Sequence, residues 1–563
     1  MSMLVGKRER QDRLRSLLRR GLIGVLAMIV TAALLYTAFR RWTYLAAPAD
    51  DGPPLPANVK IDVEHQAFRI SLAESWMVRE GGLWRLHLFG DPRLLGHTHG
   101  MLVTRVFSPL ELALDQRLRA EVAAGFPRWS FENKLRWQLR GLMSVVHPHR
   151  LAEVAAFSRT VVDTQPLAER PFQRVLTYHA LPDVLQSRRR DPVFPSAAFA
   201  VWGKQTSGGN MLVGRSMELG LGPVFERART LQIVRGNGAI PFASLSWPGC
   251  LGVVSGVNAE RIFVAVALAR TDASLARGTP AFFITREILE RAKTFRQAVS
   301  IAKRARPMGS AALLIADGNA RQAAVVELDP AGVQLRRGPS GTLAMTNHLL
   351  HKKFEGDASN DWLRRYTPSE ARYKRLTQLL ARFSGRLDPS TATLILRNRT
   401  GHDDAPLAIG HRAALDSLRA SHALVVDVTA LVLWVPKPPH LLGAMTAVDL
   451  KPLFGLASEA ATLQEVGADP LLGSVELRRY GLVRDQLDYA KRLRAAGAGA
   501  AALGYARRAA EGAPELPEAR LLLGDLYWEA GRKAEALAEY RALLKLSPPF
   551  RVEAERVRAR LVR

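Results

Sequence analysis

Residues 193–258 constrain the fold of this chain more than any other stretch. Ala198, Phe199, Ala200, Val201 and Trp202 form a run of small and apolar side chains without a charge, the composition of a buried strand. Ser207-Gly208-Gly209-Asn210 is a hairpin signal, and the segment from Met211 returns as the second strand. Residues 242–258 form another apolar β segment, broken by Pro248-Gly249 and by Gly256. Such segments need a sizeable core. The chain supplies it, with 563 residues and 48% hydrophobic content, enough for about two to four domains. The single cysteine, Cys250, excludes an intramolecular disulfide framework and leaves the compartment open.

The N-terminus reads differently. Residues 1–20 are polar and basic, with Lys7, Arg8, Arg10, Arg13, Arg15, Arg19 and Arg20. Gly21 to Phe39 is an uncharged apolar run of about the length that crosses a bilayer as a helix, and Arg40, Arg41 and Trp42 close it. A cleaved signal peptide has a shorter core, and only Thr37-Ala38-Phe39 and Leu45-Ala46-Ala47 offer weak cleavage sites. The expectation is a signal anchor over 21–39 with a cytoplasmic N-terminus. The body would then be exported, facing the periplasm from an inner membrane or otherwise outside the cytoplasm. Residues 40–60, rich in Pro, Ala and Asp, are expected to form a stiff linker before a body that starts near Ile61.

The net charge of +27 would permit binding to nucleic acid or anionic lipid. However, arginine is spread through every segment and no stripe interleaves it with aromatic residues, so no nucleic-acid partner is expected.

Between Ile61 and Arg190 short strands mix with amphipathic helices. Leu83–Phe89 reads as a strand, followed by Gly90-Asp91-Pro92, Gly96-His97-Thr98-His99-Gly100 and a helix from about Met101. His97 with His99, and His147 with His149, lack the third ligand that a zinc site needs, so structural roles are expected. Arg188-Arg189-Arg190 is either a solvated loop or an exposed processing region. Further on, residues 282–303 have helical spacing, and Ala311–Ile315 and Ala323–Leu328 are strands around Asp317-Gly318-Asn319. Residues 421–435 read as a late hairpin. Gly338-Pro339-Ser340-Gly341 lacks the spacing of a nucleophile elbow, and no Ser/His/Asp arrangement stands out.

Three segments carry a family resemblance. They are residues 195–203 (Pro-Ser-Ala-Ala-Phe-Ala-Val-Trp-Gly), residues 214–218 (Gly-Arg-Ser-Met-Glu) and residues 247–258 (Trp-Pro-Gly-Cys-Leu-Gly-Val-Val-Ser-Gly-Val-Asn). Together with Thr346-Asn347-His348 and the Ser369–Tyr373 segment, they resemble the penicillin acyltransferase (isopenicillin N acyltransferase-like) family of N-terminal-nucleophile hydrolases, over roughly residues 83–453. The resemblance implies an α/β (α+β) fold of the four-layer αββα type, with two stacked antiparallel sheets between helical layers, over residues 61–455.

It also implies a chemistry. A Ser, Thr or Cys attacks the carbonyl of the residue before it, the peptide bond breaks, and the freed α-amine becomes the general base. Its pKa of about 7.7–8.0 suits that role. Ser196 stands where the family has Cys, so cleavage would fall between Pro195 and Ser196. Glu218 stands where the family has Asp, one methylene longer. The resemblance gives Arg215 a role in orienting the nucleophile or holding a substrate carboxylate, and Glu218 one in binding the α-amine. Asn258 would contribute to the oxyanion hole, Asn347 would support the tetrahedral intermediate, and Arg372 would support the site from a late helix. Cys250 falls in an apolar strand and is expected to be a buried structural thiol. No cofactor or metal is implied.

Residues 456–482 read as a connector. Residues 483–563 are rich in Ala, Leu and Arg and read as a helical domain. Gly497 and Gly531, Ala502 and Ala536, and Pro514 and Pro548 recur at a spacing of 34, a tetratricopeptide-like pattern. It would dock on the main domain or recruit a protein partner.

The expected activity is hydrolysis or acyl transfer at a non-peptide or short-peptide amide C–N bond of a small-molecule substrate, linear or cyclic, through an acyl-Ser196 intermediate. The alternative is an inactive relative that serves as an envelope ligand-binding or scaffold protein through its C-terminal domain.

Overall fold

The computed structural model describes residues 2–64, 67–122, 125–162, 170–338 and 341–562. The basic side chains from Lys7 to Arg15, and Pro339 and Ser340 of the Gly338-Pro339-Ser340-Gly341 sequence, lie outside the described residues.

Two sheets stack face to face. The smaller has six strands in the order Thr342–Met345, Ser196–Val201, Leu212–Glu218, Ala420–Asp427, Val432–Pro436 and Met445–Asp449, all antiparallel. The larger has eleven. It runs through four strands between Lys60 and Gly90, then Thr230–Gly236, Phe242–Ser246, Ser255–Asn258, Ile262–Leu268, Ala311–Asp317, Gln322–Asp329 and Gly332–Arg336. Its pairing is antiparallel except where Leu83–Gly90 runs parallel to Thr230–Gly236, so this sheet is mixed rather than purely antiparallel. Alternation along the strands fixes what each face meets. Ala198, Ala200, Val213 and Leu424 of the small sheet share one core with Ile233, Phe263, Ala265 and Leu314 of the large one. Ala197, Phe199, Leu212 and Val425 turn the other way, onto the helices Ser369–Arg382 and Pro389–Leu396. The outer face of the large sheet is covered by the helices Pro92–Glu121, Pro148–Thr160, Pro171–Arg188, Ala281–Arg291 and Phe295–Arg304. The order of layers is therefore helix, sheet, sheet, helix.

Glycine explains one close approach. A Cβ on Gly96 would lie 2.0 Å from the Glu153 carbonyl oxygen, and one on Gly100 1.9 Å from Thr160 Oγ1, so only hydrogen at both positions lets Pro92–Glu121 lie against Pro148–Thr160. That first helix starts nine residues before the expected Met101. Asp91 caps it by accepting from the Leu94 N–H at 2.9 Å, and Pro92 occupies its first turn.

The helix Ser2–Trp42 contains one segment among the described residues, Ser16–Trp42, long and apolar enough to cross a membrane, and its most apolar stretch has no buried residue. Residues 43–59, expected to be a spacer, lie clasped against the helical layer. Thr43 and Leu45 are buried, and the Leu45 N–H points at Gln173 Oε1. Asp50 pairs with Arg93 and Arg159. Arg159 also donates to the Pro48 carbonyl, Arg93 to that of Pro53, and His97 Nε2 meets that of Pro56 at 2.7 Å. The clasping groups come from helices 30 and more residues downstream, which the composition of the segment itself does not announce.

At the other end five helices, from Val475–Ala495 to Arg551–Val562, pack around buried alanines and Tyr480, Tyr527 and Tyr540. The first begins at a Ser474 cap, ahead of residue 483. This region is seated on the sandwich. Tyr480 fills the space above Gly410, where a Cβ would come within 2.2 Å of its ring, and Arg419 pairs with Glu518 at 2.7 Å.

Candidate active site

Ser196 is the first residue of its strand. It pairs with Met217 and shares the parity of Ala198 and Ala200, so its side chain faces the gap between the sheets. It is buried, as is Asn347, which follows the neighbouring strand Thr342–Met345. Asn347 Oδ1 accepts the Ser196 backbone N–H at 2.7 Å. Asn347 Nδ2 donates to the carbonyls of Phe194 and Leu268, both at 3.0 Å, and lies 3.4 Å from Ser196 Oγ. Ser196 Oγ donates to the Phe194 carbonyl at 2.9 Å. The Pro195 carbonyl, the group such a serine would attack, accepts the Glu218 N–H at 2.9 Å.

Asn347 is itself held. Its N–H donates to Ser369 Oγ at 3.1 Å, and that hydroxyl also meets His348 Nδ1 at 2.8 Å and Thr346 Oγ1 at 3.2 Å. Burial, with the charges of Arg364 and Arg336, pushes the His348 imidazole down to about 3, so it is neutral near pH 7.

Glu218 touches the Ser196 region with its backbone, and its side chain turns elsewhere. Its Oε1 accepts from Arg372 Nη2 and from Ser417 Oγ, both at 2.7 Å, and its Oε2 lies 3.2 Å from Arg412 Nη2. Burial alone would raise this carboxyl, but Arg412, Arg372 and the Ser417 hydroxyl outweigh it and hold the group below the usual carboxylate range. Arg372 also donates to the Arg412 carbonyl at 2.8 Å. Arg412 and Ser417 complete this cluster and carry no sequence signal, because both lie in an irregular loop.

Arg215 is fully buried in the gap between the sheets. Its Nη2 donates to the Val266 carbonyl, while Nε and Nη1 have no partner among the described residues. Burial pushes its pKa down to about 9. A buried cation with two free donors is costly unless an anion meets it, which makes Arg215 a candidate for a substrate carboxylate or a developing oxyanion. On the next strand His422 lies opposite Met217, in one row with Ser196. Its Nε2 meets Ser255 Oγ and the Leu245 carbonyl, each at 3.1 Å, and its Nδ1 has no partner among the described residues. Burial and Arg215 push it down to about 3. The row could be read from strand parity only once the register of residues 420–427 is known.

Asn258 is not brought to this cluster. Its Nδ2 donates to the Leu289 and Ala292 carbonyls, at 3.0 and 2.8 Å, and its Oδ1 accepts from the Glu260 and Ile262 N–H groups. The two Nδ2 bonds fasten the turn to the end of the helix Ala281–Arg291 and the two Oδ1 bonds close the turn itself, so both amide hydrogens are used. Cys250 also differs from expectation. It sits in the turn after Trp247, half-buried, and burial pushes its thiol up. His99 Nε2 accepts the Gly249 N–H and His147 caps a helix, and no cluster of three or more metal-ligating side chains occurs among the described residues.

Comparison with known proteins bears on this region. Residues 227–406 match the family of acyl-coenzyme A:6-aminopenicillanic acid acyl-transferase. The match contains Asn258, Asn347 and Arg372 and stops short of Ser196, Arg215 and Glu218. Comparison with curated proteins gives no match. Among solved structures, the chain is similar to the N-acylethanolamine-hydrolyzing acid amidase ortholog of Caenorhabditis elegans, with 16% identity and a TM-score of 0.31, over 41% of this chain and 93% of that one. A variant of conjugated bile acid hydrolase from Clostridium perfringens gives 11% identity and 0.34, over 48% and 98%. Penicillin V acylase from Agrobacterium tumefaciens gives 14% and 0.28, over 49% and 84%.

Proposed function

We propose that this chain is an N-terminal-nucleophile amide hydrolase or acyltransferase that cuts itself before Ser196 and is held at a membrane by Gly21–Phe39. The observation that carries this reading is the grip of Asn347 on both the N–H and the Oγ of Ser196 at the start of a buried strand. The family match over residues 227–406, which includes Asn347, agrees with it.

In this reading Ser196 Oγ attacks the Pro195 carbonyl carbon, whose oxygen the Glu218 N–H polarises. The Pro195–Ser196 C–N bond breaks and an ester forms. Water then releases the Pro195 carboxylate and leaves Ser196 with a free hydroxyl and α-amine. Asn347 Oδ1, which accepts the peptide N–H, would accept from that amine and orient it toward Oγ. On substrate, the amine takes the Oγ proton as Oγ attacks the amide carbon, and returns it to the departing amine. Water or an amine resolves the acyl-Ser196. Arg215 supplies the charge for an anionic group of the substrate or for the oxyanion. The C-terminal helices are read as tetratricopeptide-like and as a support of the catalytic domain.

A second reading, an inactive ligand-binding relative, draws on the commitment of the Glu218 carboxylate to Arg372, Arg412 and Ser417 rather than to Ser196. Intact mass and N-terminal sequencing of the purified protein, beside Ser196→Ala, separate the two. A new N-terminus at Ser196 that the variant cannot make supports the enzyme. A single uncut chain in both supports the inactive relative.

A further inference from the structure

The helix Phe126–Leu139 is built the wrong way round for a helix facing water. Its exposed positions include Phe126, Trp129, Ser130, Lys134 and Trp137, which recur at helical spacing on one side. Phe126 is 75% exposed, Trp129 47% and Trp137 41%. Leu139 and Arg136 turn inward to the body. Three large aromatic rings thus occupy the face where polar residues are normal.

That face lies beside the end of the N-terminal helix. Trp129 packs on Tyr36 with ring centroids 5.9 Å apart, and Trp137 on Trp42 at 4.9 Å. The order of the two contacts means that the helices run in the same direction. Arg140 lies over Trp137 at 3.6 Å and over Trp42 at 5.6 Å, and so marks the end away from the apolar run. Tyr36 is inside that run, three residues before Phe39. Trp129 therefore sits at the level of the last turn of the apolar segment, and Phe126, about 4.5 Å further back along its helix, sits deeper.

We propose that Phe126–Leu139 is an interfacial helix that runs beside the span and inserts its aromatic N-terminal end, Phe126 and Trp129, into the same bilayer leaflet that Gly21–Phe39 leaves, with Trp137 at the headgroup level. The inference rests on the reading of Gly21–Phe39 as a membrane span. Given that span, the clasp of residues 43–59 on the body leaves the helix little freedom to stand away from the lipid. Tryptophan rings favour the boundary between acyl chains and headgroups, and Lys134 and Arg140 suit anionic headgroups.

The test uses the full-length chain in vesicles of phosphatidylcholine and phosphatidylglycerol. Tryptophan fluorescence is quenched by lipids brominated high on the acyl chain, in wild type, Trp129→Phe and Trp137→Phe. Phenylalanine keeps the packing, so the variants fold. If Trp42, Trp129 and Trp137 are the lipid-facing indoles, each single variant loses roughly a third of the quenchable signal. Quenching that is unchanged in both variants overturns the proposal. So does a Trp129 shielded from both bromolipid and aqueous iodide, which would mean that another protein covers the face. Alkaline washing tests the span separately. A chain that resists the wash while Trp129 stays unquenched keeps the span and loses the interfacial helix. A chain released by the wash but quenched at Trp129 before it keeps the helix and loses the span.

Discussion

Asn347 meets Ser196 at two atoms at once, accepting its N–H at 2.7 Å through Oδ1 and reaching its Oγ at 3.4 Å through Nδ2. The same amide also serves the Phe194 and Leu268 carbonyls. One buried side chain thus ties together the residues before Ser196, the strand that Ser196 opens and the facing sheet.

Asn347→Leu should therefore damage both stability and processing. It takes the partner from the buried Ser196 N–H and a donor from the Leu268 carbonyl, while the Phe194 carbonyl keeps Ser196 Oγ, at about 1–3 kcal/mol for each group left unmade. The melting temperature should fall. Any cleavage before Ser196 should slow by about two to three orders of magnitude, as when an oxyanion donor is lost. Thermal scans and a time course of fragment formation read the two effects.

Glu218→Gln tests the arginine cluster. The amide keeps the shape but leaves Arg372 and Arg412 without a counter-charge, a change that costs about 3–5 kcal/mol when a buried pair is broken. The folded carboxyl titrates below its unfolded value. Its contribution is therefore present above the usual carboxylate range of about pH 4 and fades as pH falls through the lower folded value. Urea midpoints measured against pH should show an acid-side loss in the wild type that is shallower in the variant.

If the chain is cut before Ser196, the fragments 1–195 and 196–563 should stay together. Leu83–Gly90 pairs in parallel with Thr230–Gly236 across the cut, and the helices of residues 92–188 cover the large sheet. Size-exclusion chromatography should give one peak in native buffer and two species in denaturant.

Gly410→Ala should loosen the C-terminal helices. The new methyl would fall within 2.2 Å of the Tyr480 ring, at a backbone φ of +81° that alanine rarely adopts. A cost of about 1–3 kcal/mol follows from the overpacking alone. Limited proteolysis should open residues 455–474, between the sandwich and the helices, faster than in the wild type.

The sequence made some elements legible because one local signal sufficed. The Ser196 hairpin, the strands around Asp317 and the late hairpin at 420–436 all pair apolar alternation with a turn. The strands before Leu83 are expected only as unplaced short strands, although residues 60–64 and 68–72 alternate polar and apolar side chains, because no compact turn signal brackets them. Asp91-Pro92 is a start signal for a helix, but Gly96 and Gly100 obscure it, and their reason lies in a second helix. Asn347 and Arg372 carry motifs whose neighbours also fold around Ser196. Asn258 carries an equally close motif, yet its amide is consumed by the next turn, a fact held in backbone geometry. Arg412, Ser417 and His422 reach the site only through tertiary register.

The clasp over residues 43–59 has a consequence for motion. A domain on a slack tether sweeps a hemisphere and meets solutes from any side. With Gly21–Phe39 in the bilayer, this body would translate with the lipid and spin about the membrane normal, but hardly tilt. The sandwich that holds Ser196 would keep a constant height and bearing, and the protein would sample its surroundings as a two-dimensional searcher.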